Sequence, residues 1–129
     1  MKKKLLIIED DVNILYTLQA KFSVEGFDVE IFNQAYDITL MINKIKHYRP
    51  DYIILDVILP SIDGWDIIRK VNEDHELNNI PFIVFTNVSD KDNKAISSIL
   101  GIKYYFVKQD LIIDEFVDKV RKIIINRGK

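Results

Sequence analysis

Five side chains in this sequence could do chemistry together, because each stands where an apolar run ends. Glu9 and Asp10 follow Leu5-Leu-Ile-Ile8, and Asp56 ends Tyr52-Ile-Ile-Leu55. Thr86 follows Pro81-Phe-Ile-Val-Phe85, and Lys108 follows Tyr104-Tyr-Phe-Val107. An acid pair, an acid, a hydroxyl and an ammonium therefore leave four strand-like runs in turn. In a parallel sheet such ends converge on one rim, the place where open α/β sheets put their chemistry. Three carboxylates brought together repel one another unless a cation enters. All-oxygen ligation suits Mg²⁺, which keeps several waters and needs only one or two carboxylates. Burying Asp56 unpaired would cost several kcal/mol, so the sequence predicts it at an exposed strand end near cations or hydrogen-bond donors.

Each of these residues also has an ordinary reading when taken alone. Glu9-Asp10-Asp11 can be an acidic loop ahead of a helix N-terminus, favoured by the helix dipole. Asp56 can be a strand-end acid satisfied by backbone donors. Thr86 can be a β-branched residue closing a strand, Lys108 a solvated lysine and Tyr105 a core aromatic. The joint order of the groups, rather than any one of them, carries the functional reading.

The elements that must position them follow from hydrophobic period. Strands are predicted at Lys4–Ile8, Asp28–Phe32, Tyr52–Leu55, Pro81–Phe85 and Tyr104–Val107. Helices are predicted over Val12–Glu25, Ala35–Tyr48, Gly64–Glu73, Lys91–Leu100 and Leu111–Asn126. In the last of these, Ile112, Ile113, Phe116, Val117, Val120, Ile123 and Ile124 make one apolar stripe. Ile14, Leu15, Leu18 and Phe22 do the same in the first. Asp11 suits the cap of that helix and Gly26 its stop, and Gly101 ends the fourth helix in the same way. Strands alternating with helices imply an open five-stranded parallel sheet with right-handed crossovers and helices on both faces. The first and third strands are the most uniformly apolar and belong at the centre. The second alternates and reads as an edge.

Composition bounds the function classes. The chain has 129 residues, 48% of them hydrophobic and 29% charged, which suits one soluble globular domain over residues 1–129. A formal net charge of −2, with no basic stripe beyond Lys2-Lys3-Lys4, argues against a nucleic-acid surface. With no cysteine, disulfides, thiol catalysis and structural zinc sites are excluded. The apolar stretch after the basic start is four residues long, Leu5 to Ile8, where a signal peptide needs roughly 7–15. No run approaches the ~20 residues of a membrane span. A cytoplasmic location and no membrane partner are the expectation.

Four segments carry a family resemblance: Leu5-Leu-Ile-Ile-Glu-Asp-Asp11, Pro50-Asp-Tyr-Ile-Ile-Leu-Asp-Val-Ile-Leu-Pro-Ser-Ile-Asp-Gly64, Pro81-Phe-Ile-Val-Phe-Thr86 and Gly101-Ile-Lys-Tyr-Tyr-Phe-Val-Lys108. At these spacings the chain resembles a response-regulator receiver domain, the phosphorylatable switch of two-component signalling, from Lys4 to about Ile125. The resemblance implies a flavodoxin-like (βα)5 fold with strand order 2-1-3-4-5. It implies that Asp56 is the phosphoacceptor, and that Glu9, Asp10, Asp56 and the Ile58 carbonyl hold Mg²⁺. Thr86 would hydrogen-bond the phosphoryl group, and Lys108 would be its ion-pair partner. Tyr105 occupies the aromatic position whose rotamer changes with Thr86. The implied partners are a histidine kinase or histidine phosphotransfer protein and a downstream protein target. No enzymatic activity is implied beyond self-phosphorylation and dephosphorylation at Asp56.

Two positions depart from that family's pattern. Gln109 follows Lys108 where proline in a cis peptide is usual. A non-proline cis bond costs about 2.5–4 kcal/mol, so a trans bond, a less firmly aimed lysine and a different path into the fifth helix are expected. Asn87 follows Thr86 where a small residue is usual, and would either crowd the phosphoryl site or donate a hydrogen bond to it. These departures favour an alternative, a degenerate receiver acting as a constitutive interaction domain. A phosphatase with an aspartyl nucleophile is the third reading, disfavoured because Ile58 stands where a second acid would be needed.

Overall fold

The apolar runs pair with one another because a strand buried on both faces has only other strands to satisfy its backbone. The computed structural model describes residues 2–33 and 37–127. Among them β1 (Lys4–Ile8), β2 (Asp28–Phe32), β3 (Tyr52–Leu55), β4 (Phe82–Thr86) and β5 (Tyr104–Val107) form one parallel sheet in the order β2-β1-β3-β4-β5. β3 lies in the middle with β1 beside it, and the alternating β2 is an edge, as the sequence predicts. The helices are α1 (Val12–Val24), α2 (Ile38–Tyr48), α3 (Gly64–Glu73), α4 (Lys91–Ile99) and α5 (Ile113–Arg127).

Alternate residues of each strand feed opposite cores, as the period of two requires. Leu6, Ile8, Ile53 and Leu55 bury against Met41, Ile45, Ile67, Ile68 and Val71 of α2 and α3. Leu5, Ile7 and Ile54 bury against Leu15, Leu18, Phe22, Phe116 and Val120 of α1 and α5. Full burial of each such side chain is worth about 1.5–3 kcal/mol, so both helical layers are fixed to the sheet by the same few strand residues.

Aspartates set four of the helix starts. Asp11, Asp37, Asp63 and Asp90 each accept a backbone N–H from the first turn that follows. α2 therefore starts at Ile38; the predicted start, Ala35, lies outside the described residues. α5 also begins later than predicted. A single 3₁₀ turn over Lys108–Asp110 and an extended Leu111 precede it, which leaves Ile112 ahead of the helix and 64% exposed. Ile112 thus drops out of the buried stripe, which in fact comprises Phe116, Val117, Val120 and Ile124. β4 is shifted by one residue from its prediction and includes Thr86, which pairs with Val107.

Candidate functional site

Strand register builds the site. Ile8 is level with Leu55, so the next residue of each strand brings Glu9 beside Asp56. Two backbone bonds fix that placement: the Asp56 N–H donates to Ile8 O at 3.1 Å, and the Glu9 N–H donates to Phe32 O at 3.3 Å. Leu55 is level with Val84, and Thr86 with Val107, so Thr86 and Lys108 arrive at the same rim. Glu9, Asp10, Asp56, Thr86 and Lys108 all line one cavity of about 280 Å³, together with Asp11, Ile58 and Asn87.

Asp56 is not at an exposed strand end, as its cost of burial led us to expect: only 7% of it is exposed. Donors on every side make the burial tolerable. The Thr86 hydroxyl donates to its Oδ1 at 2.7 Å, and the Ile58 N–H donates to the same oxygen at 3.0 Å. The Lys108 ammonium meets Oδ2 at 2.7 Å and Glu9 Oε1 at 2.6 Å. Glu9 Oε2 takes the Asp11 N–H at 3.1 Å. Asp11 in turn caps α1 by accepting from the Asn13 and Ile14 N–H groups, at 3.0 and 3.2 Å.

Electrostatics follow from this packing. Burial pushes the Glu9 carboxyl up to about 7, against the hydrogen bond and charge of Lys108. Burial works against the Lys108 ammonium too, but its bonds to Asp56 and Glu9 outweigh that and hold its pKa above the ordinary lysine value. Carboxylate oxygens of Glu9, Asp10 and Asp56 lie within 4.8 Å of one another. Three acids thus face one ammonium, and Asp10 is the exposed member of the group. A hard divalent cation with mostly oxygen and water ligands fits that donor set.

The departures at Gln109 and Asn87 have visible consequences. No peptide bond among the described residues is cis, so Lys108 and Gln109 are joined in trans. The lysine is nevertheless firmly aimed, contrary to the sequence expectation. Its four-carbon stem lies with the ammonium 5.8 Å over the Phe85 ring, and two carboxylates fix its end. Asn87 stands exposed at the cavity rim, and Thr86 and Ile58 still reach Asp56 beside it. Tyr105 is half-buried, its hydroxyl donating to the Val88 carbonyl just past Thr86.

Sequence reasoning overlooked Trp65, whose ring stacks against Tyr105 at 6.4 Å between centroids. The available signal was its type: a buried indole needs an acceptor for its N–H. Here that acceptor is Asn93 Oδ1, at 2.7 Å.

With this geometry in hand, known proteins offer a comparison. The family described as "Response regulator receiver domain" matches residues 5–121. The response regulator ArlR of Staphylococcus aureus is 31% identical over 121 residues, covering 94% of this chain and 52% of that protein. A probable transcriptional regulator, ycf27, of Porphyridium aerugineum is 28% identical over 107 residues, covering 83% of this chain and 42% of its own length. The chain thus spans about half the length of the curated relatives it matches. Among solved structures, a CheY-like receiver domain protein of Methanospirillum hungatei superposes with a TM-score of 0.84 at 21% identity, covering 99% of this chain and 98% of that one. A two-component response regulator of Clostridium difficile gives a TM-score of 0.82 at 23% identity over 99% of this chain and 100% of its own.

Proposed function

This chain belongs to the response regulator receiver domain family of two-component signalling, and on that premise we propose that it is a phosphorylation-dependent switch with Asp56 as the phosphoacceptor. The observation that carries the reading is the convergence of Thr86, the Ile58 N–H and Lys108 on one buried carboxylate. A carboxylate satisfied merely as a structural acid has no need of a hydroxyl, an amide and an ammonium shared with a second buried acid.

A phosphohistidine on a kinase or phosphotransfer protein is the donor. An Asp56 oxygen forms the new bond to phosphorus as the phosphorus–nitrogen bond breaks, and the imidazole leaves with the bonding pair. Lys108, 2.7 Å from Asp56 Oδ2, supplies positive charge beside the oxygens on which charge builds. Thr86 already points at Asp56 and can pass its hydroxyl to a phosphoryl oxygen. Glu9, Asp10, Asp56 and the Ile58 carbonyl would hold a Mg²⁺ ion, which would supply positive charge to the transfer. The product adds about −1.5 to −2 of charge to this rim. Thr86 and Lys108 follow the new oxygens, and the surface carried by their strands changes for a downstream protein. A cytoplasmic, single-domain module over residues 1–129 suits this role, as does chemistry limited to gain and loss of the phosphoryl group.

The competing reading, a constitutive interaction domain with a relic site, finds no support in a rim whose acids, hydroxyl and ammonium remain joined. Incubation with a small phosphodonor and Mg²⁺ tests the choice. The intact mass is expected to rise by one phosphoryl group, with no rise in Asp56→Asn or in the presence of EDTA. An unchanged parent mass would overturn the proposal.

A further inference from the structure

Trp65 and Asn93 form a contact that touches none of the reacting groups. Trp65 stands one residue after Gly64 at the start of α3, only 3% exposed, and is the chain's single tryptophan. Its Nε1–H donates to Asn93 Oδ1 at 2.7 Å. The Asn93 Nδ2 donates onward to Asp90 Oδ1 at 2.7 Å, and its backbone N–H to Asp90 Oδ2 at 3.3 Å. An indole N–H only donates and a carboxylate only accepts, so a single orientation of the Asn93 amide satisfies both neighbours. The first turn of α4 is thereby tied to the first turn of α3.

The same indole supports the other grip on this segment. Trp65 stacks on Tyr105, with an angle of 25° between rings, and the Tyr105 hydroxyl holds the Val88 carbonyl. The Val88 N–H reaches back to Thr86 Oγ1 at 3.4 Å, the atom that donates to Asp56 at 2.7 Å. The stretch from Thr86 to Asp90 is thus held at Val88 and at Asp90, both through side chains resting on Trp65. In this arrangement Thr86 faces Asp56.

We propose that Asn93 and Trp65 are positioning residues for phosphoryl transfer to Asp56: their hydrogen bond latches the Thr86–Asp90 segment in the form that presents the Thr86 hydroxyl to the site. The inference rests on the switch function proposed above. Helix capping alone does not account for the contact, because Asp90 caps α4 through the Asn93 backbone N–H without the indole.

Beryllofluoride with Mg²⁺, a mimic of the acyl phosphate, provides the test, with binding followed through the Thr86 amide signal and folding through thermal melting. Parent, Asn93→Ala, Trp65→Phe (which keeps an aromatic ring against Tyr105) and the double variant are titrated. Each single variant is expected to weaken half-saturation by about 3–10-fold, the worth of one hydrogen bond. The double variant should weaken it no further than the worse single variant, since both remove one shared contact. Single variants that bind like the parent, or effects that multiply, would overturn the latch. Asn93 is half-exposed, so if Trp65→Phe fails to fold, Asn93→Ala decides alone. A parent that binds no beryllofluoride sinks the switch reading instead. The latch is then judged in unliganded protein, where Asn93→Ala must move the Thr86 and Val88 amide signals, and unmoved signals reject it.

Discussion

Glu9 sits among groups that pull its proton in opposite directions. It is 2% exposed, and burial raises its pKa from 4.5 to about 7 despite the ammonium of Lys108 at 2.6 Å. A carboxyl that binds its proton more tightly folded than unfolded favours the fold at low pH. That contribution is fully present below about 4.5 and is lost as pH rises to about 7. In EDTA, Glu9→Gln should therefore gain on the parent across that window, by on the order of 2 kcal/mol. Urea unfolding of both proteins at the two ends of the window measures it; a difference that stays constant would refute the assignment. The identities of Glu9, Asp56, Thr86 and Lys108 were legible because each ends an apolar run. Their burial was not, since the sequence shows that an acid is costly to bury but not which donors will surround it. Nor did residue type show that the stem of Lys108 would hold its aim without proline at Gln109.

The start of α3 carries a strict local demand. Gly64 packs against the backbone of Val57, and a Cβ there would lie 2.4 Å from Val57 Cα and 2.7 Å from its carbonyl oxygen. Those atoms belong to the segment that follows Asp56 and cannot step aside as a side chain can. Gly64→Ala should destabilise by more than about 2 kcal/mol and also weaken Mg²⁺-dependent phosphorylation, because the strain falls beside Ile58. Thermal melting and the mass assay read the two effects; a variant as stable as the parent would show that the close approach is relieved elsewhere. Element type was legible from period, and the starts of α1, α3 and α4 were placed where they fall, whereas Asp37 was not recognised as the cap that starts α2. The start of α5 was missed because Leu111, Ile112 and Ile113 continue the apolar pattern backward. The 3₁₀ turn that begins at Lys108 uses up the residues needed for another helical turn. Pattern records which side chains are apolar, whereas chain geometry decides which of them reach the core.

For the whole molecule, one sheet fixed between two helical layers lets residues from four strands meet at a rim. Phe116 anchors the layer formed by α1 and α5: fully buried, it stacks on Phe85 with 3.8 Å between centroids and meets Phe22 and Phe106 edge-on. Phe116→Ala should cost about 3–5 kcal/mol, read as a lower urea midpoint. It should also loosen Lys108, which lies over Phe85. A loss below about 1 kcal/mol would mean that the layer collapses to fill the space. A parallel sheet with β1 and β3 central, β2 at an edge and helices on both faces was legible from strand and helix periods, whereas the full order β2-β1-β3-β4-β5 was implied by the family resemblance. The Trp65–Asn93 contact was not, because those residues lie 28 positions apart on different helices. The central claim concerns where a phosphoryl group goes on this rim. Borohydride reduction after treatment with a phosphodonor and Mg²⁺, followed by peptide mapping, tests it most directly. Conversion of Asp56 alone to homoserine is the predicted result; no conversion, or a phosphoryl group mapped to any other residue, would contradict it.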